Sequence, residues 1–276
     1  MNKDASIKQP EKPQEQRLSA EEMLEVLELI KGSTSVELKL TVPDQSHGQA
    51  IKRLGFDPVE AEPRQTFFFD TPDLALNKAG VVVRARKSHG GNGDTVVKLR
   101  PVDPAKLDPE LRREHGFKIE LDAMPGGYVC SASYKGICTA QEIIGAAEGD
   151  VPLTSIFSRK QRAFYSAHAP ADISMNELVP LGPTFLLRAR HFPKGYDRRV
   201  TVELWLYPDG SRILEISTKA KPEEAFQAAI QFRAFIAKCG IPLERQQVTK
   251  TSSALEFFSK RINEQHRNSP ALAQAV

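Results

Sequence analysis

Charged and apolar residues alternate along the extended segments of this chain, and this alternation limits the folds that are open to it. In the hairpin within residues 67–101, the runs VVVRAR and TVVKLR flank a loop rich in Gly, Asn and Asp. Alternate residues of a strand share a face, so Arg84 and Arg86 point the same way. Lys98 and Arg100 share a face for the same reason. If the strands pair in register, four cations lie on one surface, which either splays into solvent or binds an anion.

The composition is that of a globular protein with little excess of either charge. The 276 residues are 40% hydrophobic and 26% charged, with a formal net charge of +3. A basic surface must therefore come from the arrangement of residues rather than from their number. No apolar run approaches the roughly 18 residues that span a bilayer, and the polar N-terminus lacks the apolar segment of a signal peptide. We therefore expect a cytoplasmic protein with no membrane partner.

The chain divides into one main domain with short additions at both ends. Residues 1–17 are rich in Lys, Gln, Glu and Pro, which predicts a disordered tail. Ser19 and Glu22 have the spacing of a capping box and predict an N-terminal helix over residues 18–32. The main domain is predicted over residues 33–262, and the polar and Ala-rich residues 263–276 are predicted to form a mobile tail.

At least seven segments have the alternation of strands. The clearest are SVELKLT at 35–41 and FKIELD at 117–122, and three more lie within residues 184–219. The run SRKQRAFYS at 158–166 is also predicted as a strand, which leaves open whether Arg159, Lys160 or Arg162 faces inward. Helices are predicted at residues 46–54, 139–147, 222–239 and 252–262.

Strands of this kind suit either an open sheet that shows its charges to water or a closed antiparallel barrel with the charges inside. Buried charges need partners, so a barrel lined by Arg, Lys and Glu is stable only around water, metal or a polyanion.

Several short motifs are similar to those of a known family. Ser35, Glu37 and Lys39 lie where that family has Glu-x-Glu-x-Lys in its first strand. A Tyr-Asp-Thr-Pro run, a Leu-x-x-x-Gly segment and a paired-arginine strand follow in the family. Here they match Asp70, Thr71, Pro72, Leu76, Gly80, Arg84 and Arg86. Over most of residues 35–260 the chain resembles the CYTH family, or triphosphate tunnel metalloenzymes, which includes class IV adenylate cyclases, thiamine triphosphatases and inorganic triphosphatases.

The resemblance implies an α+β fold with a closed eight-stranded antiparallel β-barrel, the triphosphate tunnel, and flanking helices. It implies that Glu37 and Lys39 are catalytic. The phosphate ligands that it implies are Lys39, Arg84, Arg86, Lys98, Arg100, Arg162 and Lys219. For Mg²⁺ or Mn²⁺ it implies a carboxylate set of Glu37, Glu120, Glu203 and Glu215. Two further acids of the family pattern are replaced by Ser35 and Ser217, which predicts a divergent branch with an altered substrate or reduced catalysis.

Three functions remain open on this sequence. The first is a metal-dependent phosphohydrolase that acts on tripolyphosphate or an organic triphosphate. The second is a non-catalytic module that binds polyphosphate or a nucleotide, and the third is an adenylate cyclase-like enzyme. We see no sequence feature for the nucleobase pocket that a cyclase needs. Nucleic acid is not expected as a partner, because the charges are balanced and the aromatic residues are not interleaved with basic ones.

Overall fold

The computed structural model describes residues 19–90, 92–244 and 250–268, with side chains up to residue 264. The tail predicted at 1–17 lies outside the described residues, as do residues 269–276 of the second tail. The strands are β1 (Ser35–Val42), β2 (Glu62–Asp70), β3 (Val81–Ser88), β4 (Gly93–Leu99), β5 (Phe117–Met124), β6 (Gly127–Cys138), β7 (Val179–His191), β8 (Val200–Leu206) and β9 (Arg212–Ala220). The α-helices are α1 (Ala20–Gly32), α2 (His47–Leu54), α3 (Ala75–Lys78), α4 (Ala140–Glu148), α5 (Arg159–Ser166), α6 (Ala225–Lys238) and α7 (Lys250–Asn268).

The strands close into a barrel in the order β1-β5-β6-β4-β3-β2-β7-β8-β9. The predicted α+β closed barrel with flanking helices is confirmed. The predicted count of eight antiparallel strands is wrong, because nine strands are present in the described part of the chain and β1 pairs with β5 in parallel. The sequence pattern did not indicate β6, whose run GYVCSASYKGIC has small and polar residues on both faces and little alternation of charge.

The apolar core lies outside the barrel, between the sheet and its helices. On β1, the alternate residues Leu38 and Leu40 are buried in one cluster with Phe232 and Phe235 of α6. The other residues of each strand face into the barrel, so the inner surface receives most of the charged side chains, with a second apolar cluster at one end. None of the helices described above has the apolar length that a bilayer crossing requires.

Residues 158–166, predicted as a strand, form helix α5, and that prediction is wrong. Ser158 and Gln161 make a capping box, in which the Ser158 hydroxyl accepts from the backbone N–H of Gln161 at 3.2 Å. The Gln161 side chain also donates to the Thr95 carbonyl at 3.1 Å, which ties α5 to the outside of the barrel. Of the three cations proposed for this segment, none faces inward: all are exposed on α5, namely Arg159, Lys160 and Arg162.

Helix α7 closes one end of the barrel. Leu255 and Phe258 of α7 pack in a buried cluster with Phe68 and Leu186, which face inward, and with Trp205, which shares a face with Glu203. The helix is longer than the predicted 252–262 and covers part of the segment that was predicted as a mobile tail. The helical residues of this cluster belong to α7, within the described part of the chain. At the opposite end of the barrel, where β2 begins and β7 ends, Arg190 is exposed.

The Asp-Thr-Pro motif fixes the turn from β2 into α3. The Asp70 carboxylate is buried and accepts from the backbone N–H groups of Thr71 at 2.7 Å, Leu76 at 2.9 Å and Asn77 at 2.9 Å. The Thr71 hydroxyl accepts from the N–H of Ala75 at 2.8 Å. These contacts hold the start of the hairpin of β3 and β4, so this motif acts in folding.

We expect Asp70→Ala to lower the free energy of unfolding by about 3 kcal/mol, because three N–H groups lose a charged acceptor. Urea unfolding measures the change. Asp73→Ala is the matched control, since the exposed Asp73 pairs with the exposed Lys78, and its unfolding midpoint should stay near that of the wild type. Equal losses in both variants would contradict the role given to Asp70.

Candidate functional site

The strand register brings most of the predicted site residues onto the inner surface of the barrel. Glu37 of β1 lies opposite Lys219 of β9, and Glu203 of β8 lies opposite Glu215 of β9. The predicted residues on this surface are Glu37, Lys39, Arg84, Arg86, Lys98, Glu120, Glu203, Glu215 and Lys219. Arg100 follows β4 in the same alternation. Arg162 does not belong to the site, because α5 holds it outside the barrel, where it donates to the Phe157 carbonyl at 2.6 Å.

One side of the inner surface is an arginine wall, formed by Arg64, Arg84, Arg86 and Arg188 of β2, β3 and β7. Arg86 donates to Asp94 from Nε at 3.1 Å and from Nη2 at 2.8 Å. Glu62 accepts from Arg64 at 2.8 Å and from Arg188 at 3.0 Å. The ion pairs described for the four guanidinium groups are thus with two carboxylates. This wall has an excess of positive charge.

The arginine wall also has polar atoms that no protein group satisfies. The Nε atoms of Arg64, Arg84 and Arg188 are buried and make no hydrogen bond within the described protein. The same holds for the hydroxyls of Thr66 and Thr184, which lie opposite each other on the inner surface. Guanidinium groups only donate, so their open positions call for an acceptor such as a phosphate oxygen.

Burial and crowding lower the pKa values of two arginines in this wall. Burial lowers the pKa of Arg84 to about 10, and the neighbouring Arg86 adds to the effect. Burial likewise lowers the pKa of Arg188 to about 10, with a further contribution from Arg64. A bound anion would raise the pKa values of Arg84 and Arg188 again, because it supplies the opposite charge that these groups lack.

The facing side is a lysine–carboxylate wall, formed by Lys39, Lys98, Lys219 and Lys250 with Glu37, Glu120, Asp122, Glu203 and Glu215. Lys39 lies 3.2 Å from Glu37 and 3.0 Å from Asp122, and Lys98 lies 3.5 Å from Asp122. Burial alone would raise the pKa of Asp122, but Lys39 and Lys98 hold it well below its usual range. Burial would lower the pKa of Lys39, but Glu37 and Asp122 outweigh it and raise the value. These groups are therefore charged at neutral pH.

The two walls adjoin where β4 neighbours β3 and where β8 neighbours β7, while their middle strands lie on opposite sides of the barrel. In the strand order, β3 is four steps from β1 in one direction and five in the other. Water-sized space remains between the walls, because the inward-facing side chains of Arg84 and Lys98 are 25% and 22% exposed. At the end opposite α7, Lys219 is 53% exposed. A dissolved anion can therefore contact Lys219 at that end.

The carboxylates predicted to bind a metal do not fit a divalent ion as they stand. Glu37 and Glu120 accept from Ser217 at 3.0 Å and from Ser35 at 3.2 Å, respectively. Each member of the predicted set also contacts a lysine: Lys39 and Lys219 for Glu37, Lys219 for Glu120, and Lys250 for Glu203 and Glu215. Among the residues with described side chains, no group of three or more Asp, Glu, His or Cys is placed to hold a metal ion. A divalent ion at these carboxylates would have to displace the lysine ammonium groups that contact them.

The sequence pattern did not single out four important residues of the site. Asp94 alternates with Lys98 on β4, and Asp122 alternates with Glu120 on β5. Arg64 lies at the start of an aromatic strand, and Arg188 alternates with Arg190 near the end of β7. Asp94 and Asp122 each share the inner face of their strand with a predicted site residue. Arg64 and Arg188 share it with other side chains that face into the barrel. Extending the alternation along every strand would have found them.

The solved structures with the same fold include two candidate adenylate cyclases. One is a candidate adenylate cyclase from Bacillus halodurans, at a TM-score of 0.57 and 16% identity, covering 80% of this chain and 97% of that one. The other is the candidate adenylyl cyclase HpAC1 from Hippeastrum, described as having a dominant triphosphatase activity. Its TM-score is 0.57 at 17% identity, covering 78% of this chain and 92% of that one. No protein-family model and no curated protein matches the sequence.

We expect Asp122→Asn to lower the free energy of unfolding at neutral pH by about 3–5 kcal/mol, because two buried ammonium groups lose their shared carboxylate. The folded pKa of Asp122 lies below its unfolded value of about 3.9. Its contribution is therefore complete above that pH and is lost as the pH falls through the folded pKa.

The difference between wild type and Asp122→Asn should thus be smaller at about pH 3 than at neutral pH. Urea unfolding at both pH values measures it. A difference that stays constant or grows at the lower pH would contradict the ion pairs assigned to Asp122.

Proposed function

The chain has a divergent CYTH-like fold, and on that premise we propose that its barrel binds a linear triphosphate or polyphosphate and hydrolyses it. The observation that carries the proposal is the set of unsatisfied polar atoms on the arginine wall. These buried atoms lie on three adjacent strands, β3, β2 and β7. A chain of phosphates offers several acceptors in a row, which suits this arrangement better than a single small anion does.

The opposite wall supplies further ligands in this proposal. Lys39 and Lys98 belong to the lysine–carboxylate wall, and Lys219 lies at the open end, where β9 ends. Arg100, the remaining predicted phosphate ligand, follows β4 at the opposite end of that strand from the entrance. Lys39 and Lys98 share Asp122, and Lys39 also pairs with Glu37. Of the two, Lys98 therefore has more positive charge left for a phosphate oxygen. Phosphoryl transfer depends mainly on positioning and on neutralising charge, and two cationic sides around one phosphate chain provide both.

For hydrolysis we propose Glu37 and Lys39 as the catalytic residues. Glu37 is fixed by Lys39 at 3.2 Å and by the Ser217 hydroxyl at 3.0 Å. In this position its carboxylate can accept a proton from an attacking water, while Lys39 holds an oxygen of the phosphate under attack. The triphosphatase activity described for the Hippeastrum protein supports hydrolysis over cyclisation. A binding module without turnover is the second candidate, since Ser35 and Ser217 replace two acids of the family pattern.

We expect the double variant Arg84→Ala, Arg86→Ala to bind tripolyphosphate roughly 100-fold or more weakly than the wild type, because each charged hydrogen bond contributes about 1.5–3 kcal/mol. Isothermal titration calorimetry measures the affinity. Arg159→Ala is the matched control, since it removes an arginine that is exposed on α5 outside the barrel. Circular dichroism checks that each variant is folded. Absence of binding by folded wild-type protein would refute the barrel as an anion site.

We expect Glu37→Gln to keep the affinity for tripolyphosphate within about tenfold while its rate of phosphate release falls by roughly 100-fold or more, because the proton acceptor is lost. A colorimetric phosphate assay measures release. Glu62→Gln serves as a control on the arginine wall, where the proposal gives a carboxylate no part in proton transfer. Binding without release in the wild type would favour the module, and an equal rate in Glu37→Gln would remove Glu37 from the mechanism.

A further inference from the structure

Lys250 reaches the barrel interior from outside, although it belongs to α7. Its Nζ lies 2.7 Å from Glu215 Oε1, donates also to Glu203, and lies 5.2 Å from the centre of the Trp205 ring. The backbone carbonyl of Lys250 accepts from the Tyr207 hydroxyl at 3.1 Å, which fixes the first residue of the helix against the barrel. The ammonium group is therefore positioned by the docking of α7.

Lys250 solves a problem of charge that the strand pairing creates. Glu203 and Glu215 are direct cross-strand partners, and each is only 7% exposed. Two buried carboxylates at such positions repel each other, so a cation must lie between them if both are to stay ionised. Lys250 contacts both carboxylates and supplies that cation. A divalent ion at this pair would have to displace the ammonium group.

A second lysine repeats the arrangement at the open end. Lys219 contacts Glu120 and lies 3.8 Å from Glu37. Ser35 and Ser217 donate to these same two carboxylates. The two serines stand where the family pattern has acids, so donors replace acceptors at both positions. The site thus lacks two carboxylate ligands of the family pattern, and an ammonium group lies where a divalent ion would have to contact the two that remain.

We propose that Lys219 and Lys250 take the place of divalent ions in this barrel, so that it binds its phosphate chain without a metal. This inference rests on the proposed function. Each lysine brings one positive charge between two carboxylates, where a divalent ion would bring two. The excess of guanidinium groups on the arginine wall supplies the remaining positive charge that a phosphate chain requires.

Two measurements on the wild-type protein test the inference. The first is a titration with Mn²⁺ alone, followed by the loss of the electron paramagnetic resonance signal of the free ion. We expect no loss up to millimolar Mn²⁺. The second is calorimetric binding of tripolyphosphate in chelator and in Mn²⁺. We expect binding in chelator to be at least as tight as in Mn²⁺, because the barrel needs no ion while free Mn²⁺ complexes the phosphate chain in solution. Binding of Mn²⁺ alone at micromolar concentration, or affinity that is tenfold or more weaker in chelator, would overturn the inference.

Variants of α7 sharpen the test. In Lys250→Met, Glu203 and Glu215 lose their cation, so we expect this variant to bind Mn²⁺ at least tenfold more tightly than the wild type does. Lys250→Arg restores a cation and should again exclude Mn²⁺. Lys260→Met is the matched control, because Lys260 is 79% exposed on the same helix. If Lys250→Met folds and binds Mn²⁺ no better than this control, Lys250 does not stand in for a metal.

The outcomes separate the inference from the proposed function. If wild-type protein binds no tripolyphosphate in either medium, the proposed function fails and the metal-free mode of binding fails with it. If it binds tripolyphosphate only when Mn²⁺ is present, the proposed function stands and the inference fails. The titration with Mn²⁺ alone tests whether the barrel excludes the ion, and it does so in the absence of any phosphate ligand.

Discussion

Every charge that faces into the barrel has to be balanced inside it, because the surrounding sheet and helices keep most water away. The two walls meet this requirement differently. On one wall, Lys39 and Lys98 share Asp122, and the remaining lysines each contact two carboxylates. On the other wall, four guanidinium groups have described ion pairs with Glu62 and Asp94 only. The lysine–carboxylate wall is thus close to charge balance within the described protein. The arginine wall keeps an excess of positive charge, and the proposed binding of an anion depends on that excess.

Much of this site could be predicted from the sequence, because alternation along a strand fixes which side chains share a face. Glu37, Lys39, Arg84 and Arg86 reach the inner surface for this reason. The pairs between distant strands could not be predicted in the same way. Lys219 and Glu120 are 99 residues apart, and their contact depends on closure of the barrel and on the register of its parallel pair of strands.

The predictions from the sequence that were wrong or missing have physical causes of the same kind. Basic residues in the 158–166 segment suggested a strand, but the capping box of Ser158 and Gln161 starts a helix there. Strand β6 carries few charges on its inner face, so the barrel gained a strand that alternation alone did not indicate. Ser35 and Ser217 were recognised as departures from the family pattern. That their hydroxyls donate to Glu120 and Glu37 became clear only from the structure.

The closure of one end by α7 limits how a phosphate chain could enter and leave the barrel. Because Trp205, Leu186 and Phe68 pack against the helix there, a phosphate chain cannot thread from end to end. Substrate and product would exchange through a single entrance, one molecule at a time. A polymer would be engaged by its free terminus, whereas a chain that carries bulky groups at both termini would be turned away. The apolar residues that pack against α7 would then limit the length of the phosphate chain that fits inside the barrel.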